Sequence, residues 1–453
     1  MAEREFTDIE HLLDVRDYTG IKRVLSDMNS ADAAAMFEEL YGEDFDERAE
    51  FLMLYRLMPK DAAAEVFADM NPDMQEHLIN AFSDSELREI LHNTFVDDMV
   101  DLIEEMPANV VARILRNSSM GERRAINEIL NYPRDSAGSI MTIEYVSIHK
   151  DMTVADSFEK IRRVGVNKET IYTCYVTENR RLIGIVSVKD LFMAEEDDVI
   201  GDIMTTNIIS VTTDEDQETV AHMFRKYDLL ALPVVDKDGR LVGIVTFDDV
   251  MDVIQEENSE DVSKMYAMTP MEDSYFRTGI FRHSGNRIIW LLILMISMSV
   301  TGMVTMHYEN TFSALPILVS FMPMIMDTGG NCGSQSSTLI IRGIALDEIH
   351  FSDIFRVVFK EFRISIIISA ALAAINGVRI YIMYGQDLLL SAAVAISIIA
   401  TVVMSKIIGG SLPLLAKKCR LDPAIMAAPL LATIIDMGSI VLYFNIAARM
   451  LGL

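Results

Sequence analysis

The residues of this 453-residue chain whose types and spacing could do chemistry are carboxylates, and the chemistry is cation binding. The stretch Asp248–Asp261, DDVMDVIQEENSED, read as a helix puts Asp248, Asp252, Glu256 and Glu260 on one face at successive i,i+4 positions. Glu257 and Asp261 form a parallel pair beside them, and Val250, Val253 and Ile254 supply a modest apolar face. Like charges at i,i+4 each cost a helix roughly 0.2–0.5 kcal/mol. An acidic stripe with no basic partner in the segment therefore needs cations from elsewhere. Two further carboxylates lie in apolar surroundings. Asp327 is in PILVSFMPMIMDTGGNCGSQSSTLIIRG, with Gly329, Gly330, Asn331 and Gln335, and Asp436 is in DPAIMAAPLLATIIDMGSIVLYF. A carboxylate at the centre of a membrane span costs at least ~2.5 kcal/mol on insertion scales, so its default reading is functional. Asp97, Asp98 and Asp101 in FVDDMVDL make a smaller cluster, a solvated helix face or part of a cation site.

The elements that position these groups fall into four stretches. Residues 1–132 read as short helices, punctuated by Pro59, Pro72, Pro107 and Pro133, with apolar residues at 3–4 spacing. Repeated Met-Pro starts at Met58 and Met106 suggest stacked helical hairpins, an all-α superhelix. Residues 133–247 hold an internal repeat, offset by 63 residues at Ile140/Ile203 and 59 at Gly184/Gly243. Each copy ends in an apolar strand, a polar turn (ENRR or DKDG) and LxGIV, a hairpin pattern. Residues 248–275 form the acidic connector, and residues 276–453 are strongly apolar. Five spans of sufficient length are expected there, at about 288–306, 315–341, 364–384, 388–415 and 425–451. Basic residues flank them before the first (Arg277, Arg282, Arg287), after the second (Arg342, Arg356, Lys360, Arg363) and after the fourth (Lys417, Lys418, Arg420). That bias places the N-terminus inside and the C-terminus outside.

Composition narrows the function. Mean hydropathy is positive and the net charge is −29. From Phe281 onward there are 12 Lys and Arg against 9 Asp and Glu, so the first 280 residues carry 27 basic and 59 acidic residues. A front half this acidic argues against nucleic acid, which needs a basic surface, and suits attraction of cations. Three scattered cysteines make neither a disulfide framework nor a cysteine-rich zinc site. The histidines lack ligand spacing, and Met322, Met324 and Met326 scatter around a helix as packing residues. MAEREFTDIEHLLDV has no apolar signal-peptide core, so a cytosolic front half is expected. No nucleophile–base pair and no phosphate-binding glycine loop is present, which speaks against an enzyme or a pump.

Residues 133–247 resemble a tandem pair of CBS modules, with strong correspondence in both copies. The resemblance implies an α/β regulatory unit that often dimerises and in some members binds adenine nucleotides such as ATP. Thr246 with Asp249, and Ser187 with Asp190, are the corresponding candidate contacts. The order of helical domain, CBS pair, acidic connector and five spans, with DTGGNCGSQSSTLIIRG and DPAIMAAPLLATIID, resembles the MgtE family of magnesium channels across the whole chain. That resemblance implies a multi-pass homodimer in the plasma membrane, surrounded by lipid and conducting Mg²⁺. It implies that Asp436 is the pore aspartate and that Gly329, Gly330 and Asn331 form the pore motif, with Asp327 beside it. It makes the connector a plug helix, and regulatory Mg²⁺ ligands of Asp249, Asp252, Glu257, Glu260 and Asp261, with Asp228, Glu218 and the cluster Asp97, Asp98 and Asp101. Cys332 and Gln255 depart mildly from the pattern. Mg²⁺ is hard, prefers oxygen and gives up its waters reluctantly, which suits one carboxylate per chain plus amide and backbone oxygens. A membrane-anchored nucleotide sensor and an ion-coupled exchanger are the rival readings the sequence leaves open.

Overall fold

The computed structural model describes residues 9–452 except 10, 14, 42–44, 271–277, 310–312, 314, 385–386 and 427. Arg277 and the 275/276 domain boundary lie outside the described residues. The chain divides into two compact units, Met1–Ile254 and Gln255–Leu453.

In the first unit, nine described helices of nine to thirteen residues run from Tyr18 to Ile129. Their starts follow from local sequence: Asn29 and Asn71 cap with their side-chain oxygens, and Ser83/Glu86 and Ser119/Glu122 close reciprocal capping boxes. Helices Ser30–Leu40, Lys60–Ala68, Asp84–Asn93 and Ala108–Asn117 pack in a row, each on the next but one. That is the superhelical arrangement, and it buries Phe37, Phe51, Phe67, Met74 and Leu78. The helix that bears on the site is α1, Val96–Glu105.

The repeat folds twice into the same small sheet. β1 (Val146–Ile148) runs parallel to β2 (Thr173–Glu178), which pairs antiparallel with β3 (Arg181–Ser187). β4 (Val211–Thr212), β5 (Ala231–Val235) and β6 (Leu241–Thr246) repeat the order. The β2–β3 turn has positive φ at both Asn179 and Arg180, and the second copy turns at Gly239, also at positive φ. The copies join where Leu182 and Leu241 donate to the backbone oxygens of Gly239 and Arg180.

α2, Phe247–Met265, is a continuous helix despite its like-charge pairs. Val250 and Val253 are buried in the core of the second repeat, which outweighs repulsion on the outer face. Beyond it come α3 (Ile280–His307), α4 (Met322–Ala345), α5 (Ile354–Met383), α6 (Leu388–Lys418) and α7 (Ala428–Leu451). Four helices, Ile280–His307, Phe351–Met383, Leu388–Lys418 and Pro429–Leu451, are long and apolar enough to cross a membrane. The expected fifth, α4, is about 36 Å long at 1.5 Å per residue but too polar to qualify on composition. α4, α6 and α7 pack on one another, α5 lies on α6, and α3 leans on α7.

Candidate cation sites

α4 is the helix on which the polar residues of the second unit converge. The sequence suggests that its glycines and prolines free backbone groups, but the helix runs unbroken from Met322 to Ala345. Pro323 sits in its first turn, where no helical N–H is lost. The glycines serve close packing: a methyl group on Gly409 of α6 would meet the backbone oxygen of Gly333, and one on Gly329 would come within 2.8 Å of Thr401. Gly330 faces α7, where a side chain would stand 4.0 Å from Asp436 Oδ1. Asp327 is within electrostatic reach of Asp436. Among the described residues neither carboxylate has a hydrogen-bond or ion-pair partner. Lys406 is turned instead to Ser336, its Nζ donating at 3.1 Å. Asp327, Asn331 and Gln335, four residues apart, are exposed along one flank of α4.

The first unit builds a second acidic site from pieces far apart in sequence. Asp97 and Asp98 open α1, Glu144 precedes β1, Glu169 precedes β2, and Asp248 and Asp249 open α2. Glu144 binds the α1 N-terminus, accepting from Val96 N–H at 3.2 Å and from the Thr142 hydroxyl at 3.0 Å. Asp97 Oδ1 and Glu169 Oε2 are buried with no hydrogen-bond partner among the described residues. Burial, then the charges of Asp249, Asp98, Glu169 and Glu144, hold the Asp97 carboxyl well above the usual range. Burial, then neighbouring carboxylates, push Asp98 up to about 7 and Glu169 up to about 8. Asp249 is raised to about 6 by burial, against hydrogen bonds from the Thr246 N–H and hydroxyl. These shifts have no basic residue among their causes. Among the described residues no three His, Cys, Asp or Glu side chains form a ready-made metal cage. A hydrated Mg²⁺ held through its waters needs none.

Raised carboxyl pKa values fix the sign of a pH effect. The folded state keeps protons that the unfolded chain releases near pH 4, so stability is lost as pH rises through about 6, 7 and 8. Without divalent cations, the thermal unfolding midpoint of the full-length protein is expected to fall by at least about 4 °C between pH 5 and pH 8. Millimolar Mg²⁺ should flatten that fall. A midpoint that climbs with pH in Mg²⁺-free buffer would show that the cluster carries no uncompensated charge.

The remaining expected ligands distribute unevenly. Asp252 is exposed on α2 and close enough to feel Asp248 and Asp69. Asp101 is exposed on α1. Glu218 and Asp228 stand at opposite ends of the helix Gln217–Tyr227, about 15 Å apart along its axis, and do not share a site within one chain. Ser187 and Asp190 close a capping box on the helix Val188–Met193, and Thr246 and Asp249 bond to each other in the same way at the start of α2.

Within the second unit the acidic stripe is not without a base. Lys264 Nζ lies 2.8 Å from Glu260, one turn away, and 2.8 Å from Asp422. Glu257 and Asp261 flank this bridge, and burial followed by the Asp422 charge pushes Asp261 up to about 6. Sequence reasoning missed Glu144, Glu169 and Asp422 because only the fold brings them in. Lys264 was three residues past the end of the stripe and could have been found by its i,i+4 spacing from Glu260.

Comparison with known proteins covers every part of the chain. Residues 28–135 match the MgtE intracellular N domain, residues 137–197 and 200–256 the CBS domain, and residues 322–446 the MgtE divalent cation transporter domain. The magnesium transporter MgtE of Thermus thermophilus is 33% identical over 100% of this chain and 99% of its own length. That of Bacillus subtilis is 31% identical over 96% of this chain and 94% of its own. Among solved structures, the cytosolic domain of the Mg²⁺ channel MgtE in complex with ATP is 34% identical, with a TM-score of 0.51, over 55% of this chain and 99% of that one. The soluble part of a magnesium transporter is 30% identical, with a TM-score of 0.52, over 57% and 99%. With Asp436 beside Gly330 of α4 and relatives matched end to end, this chain belongs to the MgtE family of magnesium transporters.

Proposed function

We propose that the chain is a Mg²⁺ channel or transporter for magnesium uptake across the plasma membrane, closed by Mg²⁺ on the cytosolic side. The observation that carries the conduction site is Asp436 beside Gly330, with Asp327, Asn331 and Gln335 along the exposed flank of α4. A polar flank on a helix at membrane depth must face water or protein. Asp436 is the one carboxylate of α7, and bringing two chains together doubles it, which favours a homodimer with the pore on its two-fold axis. α4 is then the fifth span, with the N-terminal domains cytosolic and the C-terminus outside. A carboxylate that holds hydrated Mg²⁺ through water attracts the ion and still releases it.

The sensor in this reading is the acidic site of α1, Glu144, Glu169 and the start of α2, and the Glu257–Asp261 stretch is a separate second group of regulatory carboxylates. Mg²⁺ binding neutralises carboxylates that otherwise repel, so the state in which they lie together is favoured when Mg²⁺ is abundant. That state is the closed one. ATP is a second regulatory ligand, supported by the likeness of residues in the first unit to a cytosolic domain that binds it.

Flux into liposomes holding purified protein, with Mg²⁺ varied on the cytosolic face, tests both parts. Flux that falls as that Mg²⁺ rises supports pore and sensor together. Flux indifferent to it keeps the pore and removes the sensor, and absence of flux from folded protein removes the pore.

A further inference from the structure

Three helices of the second unit meet at two opposite charges that conduction as proposed does not use. Lys406 of α6 is 4% exposed and Glu361 of α5 is 6% exposed, and both bond to one hydroxyl, that of Ser336 on α4. Lys406 Nζ donates to Ser336 Oγ at 3.1 Å, and Ser336 Oγ donates to Glu361 Oε2 at 2.6 Å. Among the described residues Lys406 makes one hydrogen bond, to Ser336, and neither charge has an ion pair.

Two consecutive glycines of α6 make the meeting possible. Gly409 lets α4 approach at Gly333, and a methyl group on Gly410 would come within 2.9 Å of Glu361 Cγ. Ser336 is three residues beyond Gly333 and seven beyond Gly329, on the packed face of α4 and away from Asp327, Asn331 and Gln335. Apolar packing is non-directional and lets a helix slip about its axis. A hydroxyl held on one side by an ammonium and on the other by a carboxylate is directional.

We infer that Lys406, Ser336 and Glu361 are positioning residues, which fix the rotation of α4 so that its polar flank faces the ion path and Gly330 faces Asp436. This rests on the transport reading. A small rotation would displace the flank by an ångström or more, and misplacement on that scale can cost about 100-fold in rate.

The test compares full-length variants in liposomes with wild type in the same preparation. The double variant Glu361→Gln with Lys406→Met removes both charges together and leaves no lone buried charge. It is expected to purify as folded protein, with Mg²⁺ flux lowered at least about tenfold and the preference for Mg²⁺ over Ca²⁺ compressed. Ser336→Ala, which alters no charge, is expected to show the same losses, and Ser336→Thr, which keeps the hydroxyl, is expected to retain flux. If the double variant does not fold, the two Ser336 variants decide. A folded double variant or Ser336→Ala with wild-type flux and preference would reduce the network to a structural pair and overturn the inference. No flux from wild type would instead overturn the transport reading beneath it.

Discussion

Asp436→Ala is expected to lower Mg²⁺ flux by at least about 100-fold, while the protein still folds and purifies as wild type. A carboxylate with a partner would leave that partner unpaired on removal, at a cost of about 3–5 kcal/mol when buried. Among the described residues Asp436 has none, so its removal relieves the fold of a costly group instead of breaking a network. The loss is therefore confined to the ion, which no longer meets a negative charge beside Gly330. A drop of about 100-fold corresponds to roughly 2.7 kcal/mol, in the range of removing one preorganised electrostatic group. Asp436→Asn keeps the shape and the hydrogen-bonding oxygen and should fall between the two. Radiotracer or fluorescent-indicator flux in liposomes, beside a thermal unfolding curve, decides it. Flux within a few-fold of wild type would move the conduction site away from α7.

The second large effect concerns the acidic site of the first unit. Asp98→Asn, Glu169→Gln and Asp249→Asn together should raise thermal stability in Mg²⁺-free buffer and shift Mg²⁺ inhibition of flux to concentrations at least about tenfold higher. The two halves of that expectation have one cause. Burial and mutual repulsion push all three carboxyls up, to about 7, 8 and 6, so each ionised form opposes the folded arrangement. Amides of nearly the same shape remove the opposition, and with it the reason to bind a cation. At residue 249 an asparagine keeps an oxygen for the Thr246 N–H, which protects the start of α2. A triple variant inhibited at the wild-type Mg²⁺ concentration would show that sensing lies elsewhere, the stretch from Glu257 to Asp261 being next to test.

Much of this was legible in sequence because it is local. The two LxGIV hairpins, the period of the helical segments and the isolated Asp436 each sit within a few residues of their cause. The antiparallel pairs β2–β3 and β5–β6 follow from the hairpin patterns, whereas the parallel strands β1 and β4 do not, and the chain's family follows from two motifs, Asp327–Gly343 and Asp422–Asp436. What escaped depends on distance in sequence. Glu144 and Glu169 look like ordinary surface acids until the fold sets them against α1 and α2. Glu361 carries no signal in the sequence, and it is Gly410 that admits it to the packed side of α6. The glycines of α4 admit two readings in sequence, freed backbone groups or close helix packing of the GxxxG kind. The contacts of Gly329 with Thr401 and of Gly333 with Gly409 select packing, because the partner helix is what decides between them.

α3 keeps nearly all its surface uncovered in the chain, with Thr301 its one buried residue and α7 the helix it leans on. It is also the first of the five to be synthesised, and α7 is the last, so some 120 residues must be made before its contact exists. During biosynthesis α3 has to be stable in lipid on its own merits. IIWLLILMISMSV, apolar on every side and lacking a polar stripe, is suited to that wait. α4, with its aspartate, asparagine and glutamine, is not. Its membrane insertion should lag until α6 and α7 arrive, so truncations ending after residue 386 should leave α4 accessible to water-soluble thiol reagents at Cys332, and the full chain should protect it.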